Sequence, residues 1–338
     1  MQKITLLCLL LCSLYMSSAN AVDIDDRPEL RGFIDEMVKQ HGFDRAELTR
    51  LFTQTEVKPA IIEAIRSPAE KKSWRDYRPI FVNPARIRAG VEFWNTHAQV
   101  IARAESVYGV APEIIVAIIG VETRYGKNTG GYRVLDALTT LAFDYPERST
   151  FFRSELEHYL LLAREEHLDP TVPKGSYAGA MGVPQFISSS YRRYAVDFDN
   201  DGRRDLWSDI DDVIGSVANY LSVFGWQPGA PVAGRARVSG EKFNLLIDEG
   251  LKPELSLDQL QHYGISLDEA EPPPASRAGA ARGALIALEG DDGTEYWVGM
   301  QNFYAITRYN NSAMYAMAVY QLSQEIRAQK QSQVSSDK

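Results

Sequence analysis

The hydrophobic pattern of this 338-residue chain changes character along its length. From Asp25 to about Gly109 apolar residues recur at helical spacing, and Leu30, Phe33, Ile34, Met37 and Val38 form one stripe ending near Gly42. Ser67-Pro68-Ala69-Glu70 has the form of a capping box with proline at the first position. Asn83-Pro84 opens a long helix carrying Ile87, Val91, Trp94 and Ile101. Residues 110–228 stay helical but acquire unusual loops: Gly130-Gly131-Tyr132, Gly175-Ser176-Tyr177-Ala178-Gly179-Ala180-Met181-Gly182, and an acidic loop at Asp197. Glycines clustered between helices let backbone lie close to a bound group. After Gly229 the pattern shortens to β-prone pieces at 232–238 and 284–288, with Pro272-Pro273-Pro274 as a stiff break and Asp292-Gly293 as a hairpin turn feeding Tyr296-Trp297-Val298. Helix returns from Ser312 to about Arg327, with Met314, Ala318, Val319 and Leu322 for packing, and the polar tail 329–338 reads as disordered. The fold class is mainly α with a small β-rich insertion. Its expected parts are a helical domain at 22–109, a core at 110–228, a β-rich domain at 229–298 and a helical return at 299–328.

Within the core, Ile114-Ile115-Val116-Ala117-Ile118-Ile119-Gly120-Val121 leads to Glu122. Pro112 suits the first helical position and Gly126 the residue just past the end, so this is one short helix, apolar on every side and hence buried. Burial disfavours an ionised carboxylate, and the negative end of the helix dipole acts in the same direction. Glu122 therefore has the property of a general acid. The plainer reading is a structural carboxylate paired with Arg124 or another cation.

Composition narrows the setting. Lys3, the apolar run 4–16 and Ala19-Asn20-Ala21 read as a secretory signal cut after Ala21, too short to span a bilayer. Cys8 follows Leu7 and Cys12 follows Leu11, neither of them the small residue that lipidation needs, so a soluble exported protein is expected. The two cysteines leave with the signal, and stability must then come from burial rather than disulfides. A net charge of −9 without a basic block argues against nucleic acid. The five histidines lack zinc spacing, and Glu165-Glu166-His167, without a second histidine, reads as a solvated helix end.

Asp197-Phe198-Asp199-Asn200-Asp201-Gly202-Arg203 matches the opening of an EF-hand loop, with carboxylates at positions one, three and five, glycine at six and the Arg203 carbonyl at seven. Position twelve is Ser208 instead of glutamate, a departure that a later carboxylate, Asp212 or Asp211, could make good if the loop is longer than usual. The alternative is a solvated acidic turn that caps a helix. The stretch 299–312 is rich in aromatics and amides, which suit sugar faces and acetamido groups but also occur in ordinary cores.

In their order along the chain, Gly120-Val121-Glu122-Thr123-Arg124-Tyr125-Gly126, the 175–182 glycine loop followed by Pro184-Gln185-Phe186, Gly215-Ser216-Val217-Ala218-Asn219-Tyr220 and Thr307-Arg308-Tyr309-Asn310 closely resemble the lytic murein transglycosylase B family. The resemblance spans nearly the whole exported chain. It implies a lysozyme-like helical core flanked by a helical and a small β domain, an EF-hand-like structural Ca²⁺ loop over 197–212, no catalytic cofactor, and periplasmic cleavage of peptidoglycan glycan strands. It further implies that Glu122 is the single catalytic acid/base, that Ser176 and Gln185 line the cleft, and that Tyr220, Tyr309, Asn310 and Tyr315 hold sugar or orient the glutamate. The calcium ligands it implies are Asp197, Asp199, Asp201, the Arg203 carbonyl and Asp212, with the spacing after Trp207 leaving Asp211 open. Family members occur in lipid-anchored and soluble forms, and the missing lipidation signal places this chain with the soluble ones. The expected product is a 1,6-anhydromuramic end. A hydrolytic muramidase would share Glu122 but release reducing ends, and a non-catalytic, calcium-stabilised wall-binding protein would use the aromatic cleft for recognition only.

Overall fold

The computed structural model describes Ile24 and residues 26–66, 72–268 and 281–336. The signal at 1–21, the capping box at 67–70 and the proline run at 272–274 lie outside the described residues. The described chain divides after Val57 into two compact units. In the first, α1 (Pro28–His41) begins on a proline, ends at Gly42 with φ 67°, and buries Leu30, Phe33, Ile34 and Met37, while Val38 is half-buried. Asp44 caps α2 (Arg45–Phe52) by accepting the Glu47 N–H at 2.8 Å, and the Phe33 and Phe52 rings meet edge-on at 6.0 Å.

The second unit contains everything from Lys58 onward, including the expected divisions near residues 109, 228 and 298. It opens with α3 (Pro59–Ile65), α4 (Trp74–Phe81), α5 (Pro84–Thr96) and α6 (Ala98–Tyr108). The single long helix expected after Asn83 is broken at His97 (φ −111°, ψ 26°). The break lets both halves pack on α7 (Pro112–Thr123), from which a straight continuation would carry the second half away. Every residue of α7 from 114 to 121 is buried, as its pattern requires. Its end comes earlier than Gly126 suggests: the helix stops at Thr123, and Arg124, Tyr125 and Gly126 all take positive φ (53°, 61° and 81°). Thr123 pins this turn, its Oγ1 accepting the Gly126 N–H at 3.0 Å and donating to the Val183 carbonyl at 2.8 Å.

The chain continues through β1 (Tyr132–Arg133), α8 (Val134–Asp144), α9 (Ser149–Glu165), β2 (Lys174–Gly175), α10 (Ser188–Tyr194) and α11 (Ile210–Val223). β1 and β2 pair antiparallel with Tyr132 opposite Gly175. The β-rich region comprises β3 (Ala233–Val238), β4 (Leu255–Ser256), α12 (Leu257–His262), β5 (Ile265–Leu267), β6 (Arg282–Gly290) and β7 (Gly293–Gly299), its strands forming one antiparallel sheet in the order β4-β6-β7-β3-β5. Ala236, Leu260, Ile265, Leu285 and Val298 form its small core. β6 is buried on both faces because α4 as well as α12 packs against it. The hairpin turn is Asp291-Asp292, one residue earlier than expected; Gly290 pairs with Gly293, which opens β7 at φ 114°.

After α13 (Gln301–Thr307) the chain returns as α14 (Ala313–Ser336), which packs on α7, α5 and α4. The tail from 329 on, expected to be disordered, is helical to Ser336. Lys330 tethers it to α5, donating to Asn95 Oδ1 at 2.5 Å and lying 5.1 Å from the Trp94 ring centre. The result is a mainly helical fold with a small sheet, as the hydrophobic pattern implies.

The Tyr125 phenol threads between α5 and α7 and donates to the Arg86 carbonyl at 2.9 Å. A Cβ on Gly90 or Gly120 would meet its oxygen at 2.5 Å. Gly120→Ala is therefore expected to lower stability in urea unfolding by about 1–3 kcal/mol. Gly131→Ala, whose methyl meets nothing within 4 Å, should change little. Equal effects at both positions would contradict this packing.

Candidate active site

Glu122 lies on the last turn of α7, half-buried between two buried neighbours. Its Oε1 accepts a hydrogen bond from the Tyr315 hydroxyl at 2.5 Å, and Tyr315 is itself buried in α14. The pairing with Arg124 is not made. Burial pushes the Glu122 carboxyl up to about 7, while the Tyr315 hydrogen bond pulls it back by favouring the ionised form. No second carboxylate acts on it among the described residues. The expected helix-dipole contribution is offset. Arg86, only 7% exposed, donates to the Gly120 carbonyl at 2.7 Å and the Val121 carbonyl at 3.4 Å, placing a cation on the negative end of α7. Desolvation remains the cause of the raised carboxyl. Burial also lifts the Tyr315 phenol well above its ordinary value, with the nearby Glu122 next in effect, so Tyr315 stays a donor.

Around this pair stands a group of rings. Tyr309 stacks on Tyr315 with centroids 6.4 Å apart and meets Tyr220 at 4.8 Å; Phe186 lies 5.4 Å from Tyr220 and 5.7 Å from Tyr309. The Tyr309 hydroxyl donates to the Pro184 carbonyl at 2.7 Å and the Tyr220 hydroxyl to the Arg308 carbonyl. Both hydroxyls are thus committed to backbone, and what these residues offer a ligand is ring surface. Tyr309 and Thr123 together stitch the Met181–Phe186 turn to the rest of the site, through the carbonyls of Pro184 and Val183. Gly182, at φ 68°, backs onto the Leu206 carbonyl so closely that no Cβ fits.

Gln185 takes φ 54° and donates from Nε2 to the carbonyls of Thr129 at 3.1 Å and Gly182 at 2.8 Å, which leaves Oε1 without a partner among the described residues. The Asn310 side-chain amide is likewise unpartnered among them. Ser176 accepts the N–H groups of Ala178 at 3.2 Å and Ala180 at 3.0 Å, which shapes the glycine loop. Neither Ser176 nor Asn310 bonds to Glu122. Two contributors escaped the sequence reading. Tyr77, 2% exposed, acts electrostatically on Tyr315. Arg86 had one faint signal, an arginine in the first turn of a predicted helix, where the dipole disfavours a cation.

In the acidic loop, carboxylate oxygens of Asp197, Asp199 and Asp212 lie within 4.8 Å of one another. Asp212 is buried, accepts the N–H groups of Phe198 at 2.6 Å and Asp205 at 2.7 Å, and is pushed up to about 6 by burial. Asp211 turns instead to Arg103, at 3.0 Å, so Asp212 is the one of the two that reaches the cluster. Asp201 is not a member of the trio; its Oδ1 accepts the Arg203 N–H at 2.8 Å. Clustered carboxylates repel one another unless a cation intervenes, and an all-oxygen set suits a hard one. Glu165 pairs with Arg192 at 2.7 Å and Glu166 with Arg204, so Glu165-Glu166-His167 ends a helix in ion pairs.

The family model of the transglycosylase SLT domain matches residues 25–324. The membrane-bound lytic murein transglycosylase B of Escherichia coli (strain K12) is 43% identical over 314 residues, covering 90% of this chain and 84% of that protein. Among solved structures, the soluble lytic transglycosylase SltB1 of Pseudomonas aeruginosa is 51% identical with a TM-score of 0.82, covering 89% of this chain and 99% of that one. The Escherichia coli lytic transglycosylase Slt35, solved in complex with calcium, is 43% identical with a TM-score of 0.81, covering 91% and 95%. Agreement of this extent carries the lysozyme-like architecture and the enzyme class together, and the chain belongs to the lytic murein transglycosylase B family.

Proposed function

We propose that this protein cleaves the β-1,4 bond between N-acetylmuramic acid and N-acetylglucosamine in peptidoglycan without water, leaving 1,6-anhydromuramic ends. What supports the reading is a carboxyl raised to about 7 whose side chain is hydrogen-bonded to the Tyr315 hydroxyl and to no carboxylate among the described residues. Two-carboxylate glycosidases need the second group as nucleophile or base. Here Glu122 gives its proton to the glycosidic oxygen as the bond to the muramic C1 breaks, and the substrate's own acetamido oxygen bonds to C1. The ionised Glu122 then takes the proton of the 6-hydroxyl, whose oxygen displaces the acetamido oxygen at C1. Acid and base are the same group, so it returns to its starting state.

Tyr315 orients Glu122 and stabilises its ionised form between the two steps. The free Oε1 of Gln185 and the free amide of Asn310 are the groups we assign to the acetamido and hydroxyl groups, with the rings of Tyr220 and Tyr309 against an apolar sugar face. Ser176 keeps the glycine loop in shape beside them. A murein substrate sets the place of work at the cell wall.

Digestion of purified peptidoglycan in heavy-oxygen water tests the reaction. The expected muramic ends carry no solvent oxygen, and predominant label there would make the protein a hydrolytic muramidase. Glu122→Gln should fold normally and lose on the order of 10²–10⁴-fold in rate. Substantial turnover by that variant would remove Glu122 from the role.

We also propose that Asp197, Asp199, Asp201, the Arg203 carbonyl and Asp212 hold a structural Ca²⁺. The clustered oxygens support this, as does the calcium complex of Slt35. At a hundredfold excess over its dissociation constant calcium should stabilise the native state by about 2.7 kcal/mol and raise the thermal midpoint accordingly. Asp197→Ala should abolish most of that rise. An unchanged midpoint on adding calcium to chelator-treated protein would reduce the site to an acidic turn.

A further inference from the structure

A second cleft, of about 300 Å³, opens at the C-terminal end of the helix that carries Glu122, with Asn83, Arg86, Arg124, Tyr125 and Lys127 in its lining. Three of those residues are cations and none is a carboxylate. Arg124 and Lys127 are exposed, and their side chains make no hydrogen bond or ion pair with any described residue. Arg86 forms the buried side of the cleft. Its guanidinium donates only to carbonyls, those of Gly120, Val121 and Ile80, and has no carboxylate partner among the described residues. After burial, the charge of Arg124 is the next influence holding the Arg86 guanidinium below its ordinary value, so the two cations stand close enough to repel. The N-terminus of α5, a helix of 13 residues, opens on the same space through Asn83 and Ala85 and adds a positive partial charge.

A structural cap on α7 explains Arg86 alone. It leaves Arg124 unexplained, an unpartnered guanidinium on a backbone held at φ 53° beside a like charge. Such a site is electrostatically incomplete without an anion. An anion that arrives with the substrate of the neighbouring glutamate would complete it. The muramic sugar whose C1 faces Glu122 carries, through its lactyl group, a peptide with free carboxylates. Arg124 follows Glu122 by two residues, so their Cα atoms are within roughly 7 Å, and an extended peptide covers roughly 3.5 Å per residue. A gap of that order is one that two or three residues of the peptide would span.

Building on the murein reading above, we propose that the Arg86–Arg124–Lys127 cleft is a subsite for a carboxylate of the peptide borne by the substrate's muramic acid. Arg124 supplies a planar fork suited to a carboxylate, Lys127 a mobile point charge, and Arg86 the positive floor. The subsite acts on binding: it selects peptide-bearing strands over bare ones and takes no part in proton transfer.

The test uses two substrates, peptide-bearing glycan strands and the same strands stripped of peptide by an amidase. Arg124→Gln combined with Lys127→Gln removes both exposed charges and leaves the buried Arg86 in place. Against peptide-bearing strands the double variant should raise KM by about tenfold with kcat unchanged, the size expected for losing hydrogen bonds to a charged group. The defect should shrink at high salt, where screening weakens the wild type as well. Against stripped strands the variant should match the wild type, which also shows that it is folded. Lys127→Gln alone, at an exposed position, should give the same pattern at smaller size. Equal losses on both substrates, or no loss on either, would overturn the proposal. Failure of the underlying reading has a different signature, since the wild type itself would then leave both substrates uncut or release reducing ends.

Discussion

One constraint governs the arrangement: a carboxyl must be kept in surroundings that oppose its ionisation. α7 has no polar face, so it needs cover on every side, and α5, α6, α11 and α14 supply it. Glu122 at its end inherits that dryness and is pushed up to about 7 from the ordinary 4.5. The folded chain therefore still holds a proton that the unfolded chain has released between those two values. Stability contributed by this group is complete below the lower value and is lost as pH rises through the window. The fold accepts that loss at the residue where a proton is needed.

Tyr315 sets how far the effect goes. It comes from a helix that returns to α7 only near the end of the chain, and its buried hydroxyl is the single hydrogen-bond partner of the Glu122 carboxyl among the described residues. A wholly unpartnered carboxyl would be a stronger hold on the proton and a poor donor of it. With Tyr315 in place the group is poised near neutrality, which suits a residue that must first give a proton and then take one. Arg86 acts on the same helix end through the Gly120 carbonyl, and Gly90 and Gly120 make room for the Tyr125 phenol that braces the turn.

What could be read from the chain follows from which forces are local. The apolar run 114–121 and the proline at its start act over a few residues and appear in the structure where the pattern places them, whereas of the three alternate aspartates in the 197–201 loop only Asp197 and Asp199 join Asp212 in a cluster. The break at His97 was not legible, because α5 and α6 share one helical periodicity and only the need to wrap α7 separates them. Asp211 and Asp212 were indistinguishable by spacing, and the partner that takes Asp211 away, Arg103, lies far along the chain. Tyr315 was reachable only through resemblance to a family. No pattern within the chain joins positions 122 and 315, and none joins 86 to 120. The helical tail was not legible either, since Lys330 is tethered to Asn95 and Trp94, far from it along the chain.

The central claim is that burial holds the Glu122 carboxyl protonated up to neutrality while Tyr315 limits the shift. Titration of that carboxyl by carbon NMR, with glutamate labelled at its side-chain carbon and the Glu122 signal assigned by its absence in Glu122→Gln, measures this directly. The account predicts a midpoint at about 7 in the native protein. It predicts a higher midpoint in Tyr315→Phe, where the hydrogen bond to the ionised form is gone. A native midpoint in the ordinary carboxylate range, or a fall on removing the Tyr315 hydroxyl, would contradict it.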